Sequence, residues 1–216
     1  LDSAQRYLDR ARSLAAAIGD MRVTANAVGS LADVSEARGD LAASRQRQTE
    51  ALAMRQRIGD ARGVAASHNS LGLLAQDAGD LDEARRQFEA ALALNRQGRR
   101  EEPAATNLVN LAGLASLTGD FARAELLYHD ALATWRAAEA WADAADALHG
   151  LGQLELRRGD YPAARAALVE ALAILDRTGP LADALSVRRA LADALAASGQ
   201  LQGALDELRR AQQEAD

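Results

Sequence analysis

Residues 71–92 read LGLLAQDAGDLDEARRQFEAAL, and the pattern of this stretch returns every 40 residues along the chain. A leucine stands eight residues before each turn glycine, and an alanine stands twelve residues after it. The turn pair Gly79-Asp80 recurs as Gly39-Asp40, Gly119-Asp120, Gly159-Asp160 and Gly199-Gln200. An uninterrupted period of this length indicates stacked helical hairpins.

The residues that follow the turn have helical spacing. Leu81, Ala84 and Phe88 fall on one face of an α-helix. A glycine can take the left-handed backbone that ends one helix, and an aspartate can accept hydrogen bonds from the free N–H groups that open the next. Asp80 and Glu83 also match a capping box. We therefore expect an all-α solenoid of antiparallel helix hairpins, with about eleven helices.

This pattern resembles the tetratricopeptide repeat (TPR), in the 40-residue form of kinesin light chain and of many bacterial signalling proteins. The match is clearest at Leu71-Gly72, Ala75, Gly79-Asp80, Phe88 and Ala91. The resemblance implies a right-handed superhelical array whose first helices line a concave groove. It further implies that this groove binds a protein or peptide, and that the array is an arm of a larger bacterial signalling or transcriptional regulator.

Two residues depart from the TPR pattern. Gln48 stands where an aromatic residue is common, and Glu155 stands where a small or aromatic residue is usual. Both changes affect local packing and leave the repeat pattern intact, because the turn pairs and the recurring leucine and alanine are unchanged.

The unbroken period predicts a single TPR array over residues 1–216. It divides into a half repeat, four full repeats and a last repeat, at residues 1–20, 21–60, 61–100, 101–140, 141–180 and 181–216. Because the chain starts at Leu1 inside a repeat, we expect it to be a fragment of a longer protein. The composition suits close-packed helices, since the chain is 49% apolar and 3% aromatic.

The residue types exclude several kinds of active site. The chain has no cysteine and all 25 basic residues are arginines, so zinc–thiolate sites, phosphate-binding P-loops and Schiff-base chemistry lack their residues. His68, His129 and His149 share no metal-ligand spacing, and no nucleophile is placed to pair with them. We therefore predict no enzyme activity, no cofactor and no metal site.

Charge and hydropathy argue against two further partner classes. A nucleic-acid interface is expected to be basic, whereas this chain carries a formal net charge of −6. No apolar run approaches the roughly 20 residues that a membrane helix needs, and no signal peptide is visible. We predict no nucleic-acid partner, no membrane partner and a cytoplasmic location.

The TPR resemblance assigns candidate binding residues to the groove, one set from the first helix of each repeat. This lining is acidic towards the N-terminal end and carries arginine towards the C-terminal end. Its Asn and Gln side chains can offer a donor and an acceptor together to a peptide backbone. The polar residues assigned to the groove are Asn26, Asp33, Glu36, Asn69, Gln76, Asp77, Thr106, Asn110, Asp146, His149, Gln153, Arg157, Arg189 and Asp193. By position, the same helices also contribute Leu73, Val109, Ser116 and Ser186.

A structural or oligomerisation arm without a groove ligand is the alternative function. The half repeat lacks a partner helix, which exposes the region of Leu1, Leu8 and Leu14 and invites a homodimer. Trp135 and Trp141 flank the junction between the third and fourth hairpins. They either pack that junction or form an exposed hot spot for a partner.

Overall fold

The computed structural model describes residues 1–178 and 181–215, with side chains for residues 1–177 and 183–214. The described residues form eleven α-helices, which confirms the predicted all-α class and helix number. The helices are α1 (Asp2–Ala17), α2 (Met21–Glu36), α3 (Leu41–Arg57), α4 (Ala61–Asp77), α5 (Leu81–Gln97), α6 (Glu101–Leu117), α7 (Phe121–Ala137), α8 (Trp141–Arg158), α9 (Tyr161–Thr178), α10 (Leu181–Ala197) and α11 (Leu201–Ala215). The even-numbered helices are the first helices of the repeats. The odd-numbered helices from α3 to α11 are the second helices, and α1 belongs to the half repeat. None of the described helices is long and apolar enough to cross a membrane.

The chain forms two compact units, Leu1–Asn107 and Leu108–Asp216, and the division falls inside α6. In the first unit, consecutive helices from α1 to α5 pack against one another. In the second unit, α7 to α11 do the same, and α8 also contacts α10. These are the contacts within and between hairpins that a TPR requires. That all 216 residues form one array remains a prediction.

The Gly-Asp turns perform both tasks expected of them. Gly79 has a φ of +78°, in the left-handed region, and lies directly after the last turn of α4. Asp80 caps α5, because its Oδ1 accepts the N–H of Glu83 at 3.0 Å. The same cap opens five other helices, through Asp20, Asp40, Asp60, Asp120 and Asp160.

The predicted capping box forms only half of its hydrogen bonds. The Glu83 carboxylate accepts from Arg86 at 2.6 Å and from Gln87 at 2.7 Å, so it does not turn back to Asp80. The Asp80 N–H donates instead to the Ala75 carbonyl oxygen at 2.9 Å. The prediction of a reciprocal box was therefore wrong, because the side chains at the next helical turn compete for the same carboxylate.

Small residues on the first helices make room for large ones on the second helices. A Cβ added to Gly72 would lie 2.5 Å from the Phe88 ring, and one added to Gly152 would lie 2.5 Å from Leu168. Phe88 and Leu168 are fully buried, and each contributes roughly 1.5–3 kcal/mol. The alanine that recurs twelve residues past each turn glycine is also buried in every repeat. The core is therefore built mainly from alanine and leucine, as the composition predicted.

The half repeat exposes apolar side chains, although not quite the predicted set. Leu1 and Leu14 are exposed as expected, whereas Leu8 is half-buried. Tyr7 and Ile18 are exposed by 76% and 80% and had not been singled out. These positions face away from α2, the helix on which α1 packs.

Candidate functional site

The predicted groove residues, apart from Ser116, lie on accessible faces of the first helices. Ser116 is buried, so its assignment to the groove was wrong. All fourteen polar residues assigned to the groove are exposed or half-buried. In α2, for example, Asn26 and Asp33 are exposed, whereas Val28 and Leu31 between them are buried. The helical period therefore separates a core face from a face that a ligand can reach. Which of these residues bind a ligand remains a prediction.

In the first unit, an open pocket of about 460 Å³ lies between α2 and α4. It is lined by Asp33, Glu36, Ala37, Ser70 and Leu73. Leu73 supplies an apolar wall, since 39% of its surface is exposed. The volume lies within the range of small-ligand sites, so the pocket can hold a side chain of a bound protein.

The pocket holds net negative charge, which Arg55 offsets only in part. Burial raises the pKa of Glu36, and the nearby carboxylates of Asp33 and Asp77 raise it further. Burial also raises the pKa of Asp33, although the charge of Arg55 and a hydrogen bond from Gln48 act in the opposite direction. Both carboxyl groups therefore lose their protons less readily than isolated ones, and a cation placed in the pocket would be stabilised.

Arg55, which sequence reasoning missed, links the first helices of two successive repeats. Its Nη1 donates to Ser67 Oγ in α4 at 2.6 Å, and its Nη2 donates to Asn26 Oδ1 in α2 at 3.3 Å. Two glycines leave space for it: a Cβ on Gly29 would lie 3.1 Å from the guanidinium, and one on Gly63 would lie 2.8 Å from Arg55 Cδ. Isolated glycines inside helices were the signal that could have found this residue.

Asn69, assigned to the groove, is held by a buried chain of amides. Asn95 Nδ2 donates to Asn107 Oδ1 at 2.8 Å, and Asn107 Nδ2 donates to Asn69 Oδ1 at 2.9 Å. Asn95 and Asn107 are both buried. Part of the hydrogen-bonding capacity of Asn69 is therefore committed to packing within the first unit, so this residue is a poor choice for testing ligand contact.

The second unit brings together Asp146, His149 and Gln153 on α8. Burial lowers the pKa of His149, although the negative charge of Asp183 opposes this. The ring is therefore neutral at pH 7, and its Nε2 accepts a hydrogen bond from Gln153 Nε2 at 3.0 Å. Burial raises the pKa of Asp146, as do the carboxylates of Asp183 and Asp143. This face therefore offers acidic groups and a hydrogen-bonded neutral imidazole.

Arg188 and Arg189 have different environments, which agrees with the divergence of adjacent residues on a helix. Arg189, assigned to the groove, is exposed. Arg188 is only 7% exposed and forms ion pairs with three carboxylates. Its partners are Asp176 at 3.0 Å, Glu207 at 3.2 Å and Glu214 at 2.9 Å. Arg188 therefore joins α10 to α9 and α11, a structural role that the sequence alone did not reveal.

The two tryptophans have separate roles in packing. Trp135 is 3% exposed and belongs to the core of the second unit. Trp141 is 44% exposed and lines an open pocket of about 320 Å³ with Glu170 and Ile174. The packing interpretation therefore holds for Trp135, whereas an exposed hot spot at Trp141 remains a prediction.

The histidines do not converge on a metal or a nucleophile. His68 Nδ1 donates to Gln87 Oε1 at 2.6 Å, and His129 is exposed on α7. Over the residues that the structure describes, no group of three or more His, Asp or Glu side chains could hold a metal ion.

The family model of the tetratricopeptide repeat matches the chain three times, over residues 23–97, 63–137 and 103–177. These overlapping matches span residues 23–177 without a gap. A search of curated proteins finds no significant match to this sequence.

Solved structures give further likenesses. BtubC (BKLC) from P. vanneervenii is 27% identical, with a TM-score of 0.83, and the match covers 99% of this chain and 89% of that one. TPR-like repeats named for a kinesin light chain of Podosopora anserina are 20% identical, with a TM-score of 0.69 and coverages of 88% and 94%. A Rap protein complexed with competence and sporulation factor is 14% identical, with a TM-score of 0.80, over 90% of this chain and 54% of that one. The last two likenesses concern the fold alone.

Proposed function

Because the chain belongs to the tetratricopeptide repeat family, we propose that it binds a protein or peptide through the exposed faces of its first helices, without catalysis of its own. The observation that carries this proposal is the open pocket between α2 and α4, where two successive first helices present polar and apolar side chains together. The complex of the Rap protein with competence and sporulation factor supports it by analogy of fold.

We further propose that the chain acts as an arm of a larger bacterial signalling or transcriptional regulator in the cytoplasm. The 40-residue form of the repeat supports this setting, since such arrays commonly accompany regulatory domains. A scaffold of this kind needs neither a nucleic-acid partner nor a membrane partner, and the net charge of −6 fits the first of these expectations.

Selection of ligands from a displayed random-peptide library tests the binding proposal. The selected peptides are measured against the parent chain, against groove variants Asp77→Ala and Asp193→Ala, and against Asp130→Ala as a matched control. All three aspartates are exposed, and Asp130 lies on the second helix α7. Circular dichroism checks that every variant keeps its helices.

Weaker binding to one or both groove variants, with unchanged binding to Asp130→Ala, is the expected result. Equal binding to all variants would move the site to the second helices or the edges. A selection that enriches no peptide would contradict groove binding for this chain.

The exposed side of α1 favours the structural arm as a second candidate. Tyr7 and Ile18 form an apolar surface there, so a homodimer would bury them. Sedimentation velocity across a concentration series tests this, comparing the parent chain with Tyr7→Ser and Ile18→Ser. A dimer that both substitutions weaken would support the structural arm, and a monomer throughout would reject it.

A further inference from the structure

The pocket between α2 and α4 presents more carboxylates than nearby cations, and none of them is held in a salt bridge among the described residues. Asp33 and Glu36 are three residues apart on α2, so their side chains lie on the same side of the helix. Neither residue, nor Asp77 nearby on α4, forms a salt bridge with any described residue. Arg55 offsets part of the charge at Asp33, and the remaining negative charge in a concave site favours a cationic occupant.

The arginines of the surrounding helices are engaged elsewhere. Arg38 follows the pocket residue Ala37, and Arg47 and Arg55 both lie on α3, the second helix of the same hairpin. The charge of Arg55 acts on Asp33 without forming a salt bridge with it. Their hydrogen-bond partners are Asp2 and Gln5 for Arg38, Ser35 for Arg47, and Ser67 and Asn26 for Arg55. The first unit therefore does not fill its acidic pocket with a guanidinium of its own.

A buried amide behind the pocket indicates a missing hydrogen-bond donor. Gln48 is 4% exposed, and its amide is directed at the pocket wall, where Nε2 donates to Asp33 Oδ1 at 3.4 Å. The Oε1 of the same amide has no hydrogen-bond partner among the described residues. A buried acceptor of this kind costs about 1–3 kcal/mol. The wall of the pocket around Asp33 is therefore short of N–H donors.

We propose that this pocket binds a basic side chain, an arginine in preference to a lysine, from the protein or peptide that occupies the groove. A guanidinium has five N–H donors in a planar fork, so it can serve Asp33 and Glu36 together. Its methylene stem would lie along the exposed surface of Leu73. A lysine ammonium is a strongly hydrated point charge, so it is less suited to bridging the two separate carboxylates of Asp33 and Glu36. This inference rests on the proposed groove binding.

The test uses peptides selected from the displayed library against the parent chain. Each selected peptide is resynthesised with its arginine replaced by lysine or by glutamine, and affinities are measured by fluorescence anisotropy. The protein variants are Asp33→Asn and Glu36→Gln, which keep the side-chain shape, with Asp130→Asn as the exposed control on α7. Glu36→Arg is added as a reversal of charge at the exposed end of α2.

Three results would support the inference together. Arginine is enriched in the selected peptides, its replacement by glutamine weakens binding about tenfold, and the weakening disappears in the Asp33→Asn and Glu36→Gln variants. Glu36→Arg prefers peptides with an acidic residue at the same position, which a mere loss of folding cannot produce. Lysine peptides bind with intermediate affinity.

Other outcomes separate this inference from the proposed function. Selected peptides that lack basic residues, or whose affinity is the same for the parent chain and both neutral variants, would overturn the basic-side-chain site while leaving groove binding intact. Failure to select any peptide would overturn both, because the pocket would then have no groove ligand to anchor.

Discussion

The two compact units fill the same repeat position with opposite chemistry. The position lies sixteen residues past the turn glycine, near the end of each second helix. The first unit places Arg55 and Asn95 there, and the second unit places Trp135 and Leu175. Asn95, Trp135 and Leu175 are buried, and Arg55 is half-buried. One fold therefore accepts either a polar or an apolar layer at this depth.

The residue twelve positions later, on the first helix of the following repeat, is also polar in the first unit and apolar in the second. Ser67 follows Arg55 and Asn107 follows Asn95 in the first unit. The second unit has Ala147 after Trp135 and Val187 after Leu175, and all four of these following residues are buried. Hydrogen bonds in the polar layer contribute about 0.5–1.5 kcal/mol each, and every partner must be present because an orphaned buried group costs more. Apolar burial is additive and less directional. The first unit thus gains defined side-chain geometry, and the second gains stability.

The largest expected effect is the loss of the apolar layer at Trp135. Trp135→Ala should lower the free energy of unfolding by about 3–5 kcal/mol, because a nearly inaccessible indole leaves a cavity behind. Urea denaturation followed by circular dichroism measures this change. Trp141→Ala is the matched control, and it should cost under about 1 kcal/mol, since that side chain is 44% exposed. Equal costs for the two tryptophans would contradict the assigned burial.

The next effect breaks the polar layer and then converts it. Asn107→Ala should destabilise the first unit by about 2–3 kcal/mol, because it removes two hydrogen bonds and leaves the Asn95 amide unsatisfied in the core. The pair Asn95→Leu with Asn107→Val copies the residues of the second unit at Leu175 and Val187, and it should recover most of that loss. Urea unfolding of the single and double variants measures both steps. A double variant less stable than Asn107→Ala would show that the two layers are not interchangeable.

A smaller effect concerns helix capping, because α8 in the second unit lacks the capping carboxylate that precedes α5 in the first unit. Ala140 precedes α8 with φ −81° and ψ 71°, nearly the backbone of Asp80 before α5, but it makes no side-chain cap. Ala140→Ser should therefore stabilise the protein by about 1 kcal/mol. Thermal unfolding checks the gain. Ala142→Ser, two residues inside α8, is the control and should give no gain.

Much of the fold could be predicted because it depends on local, repeated chemistry. Gly79 and Asp80 carry their own reason for a helix end and a helix start, and recurrence every 40 residues gave the hairpins and the TPR family. For the candidate site, the sequence predicted only which face of the first helices is exposed. Arg55 and Arg188 escaped notice because their roles depend on which buried neighbours the packing supplies, and the repeat pattern does not encode those neighbours.

The smallest expected effect compares the acidic groups on the exposed faces of the two units. The pKa of Asp33 and that of Asp146 are both raised, chiefly by burial. A raised carboxyl pKa means that the folded state holds the proton more tightly than the unfolded state, so the ionised group lowers stability above that pKa. The penalty disappears as the pH falls through the raised pKa towards 3.8, the ordinary value for aspartate.

The two units should differ in how much they gain when this charge is removed. Asp146→Asn should stabilise the protein at pH 7 by a few tenths of a kcal/mol, after screening by solvent, because its charged neighbours Asp183 and Asp143 both repel it. Asp33→Asn should gain less, since it also loses the attraction of Arg55 and changes the hydrogen bond with Gln48. Urea unfolding between pH 7 and pH 4 measures both differences, which should shrink on acidification. A gain at Asp33 that exceeds the gain at Asp146 would mean that Arg55 does not offset the charge of the first unit's pocket.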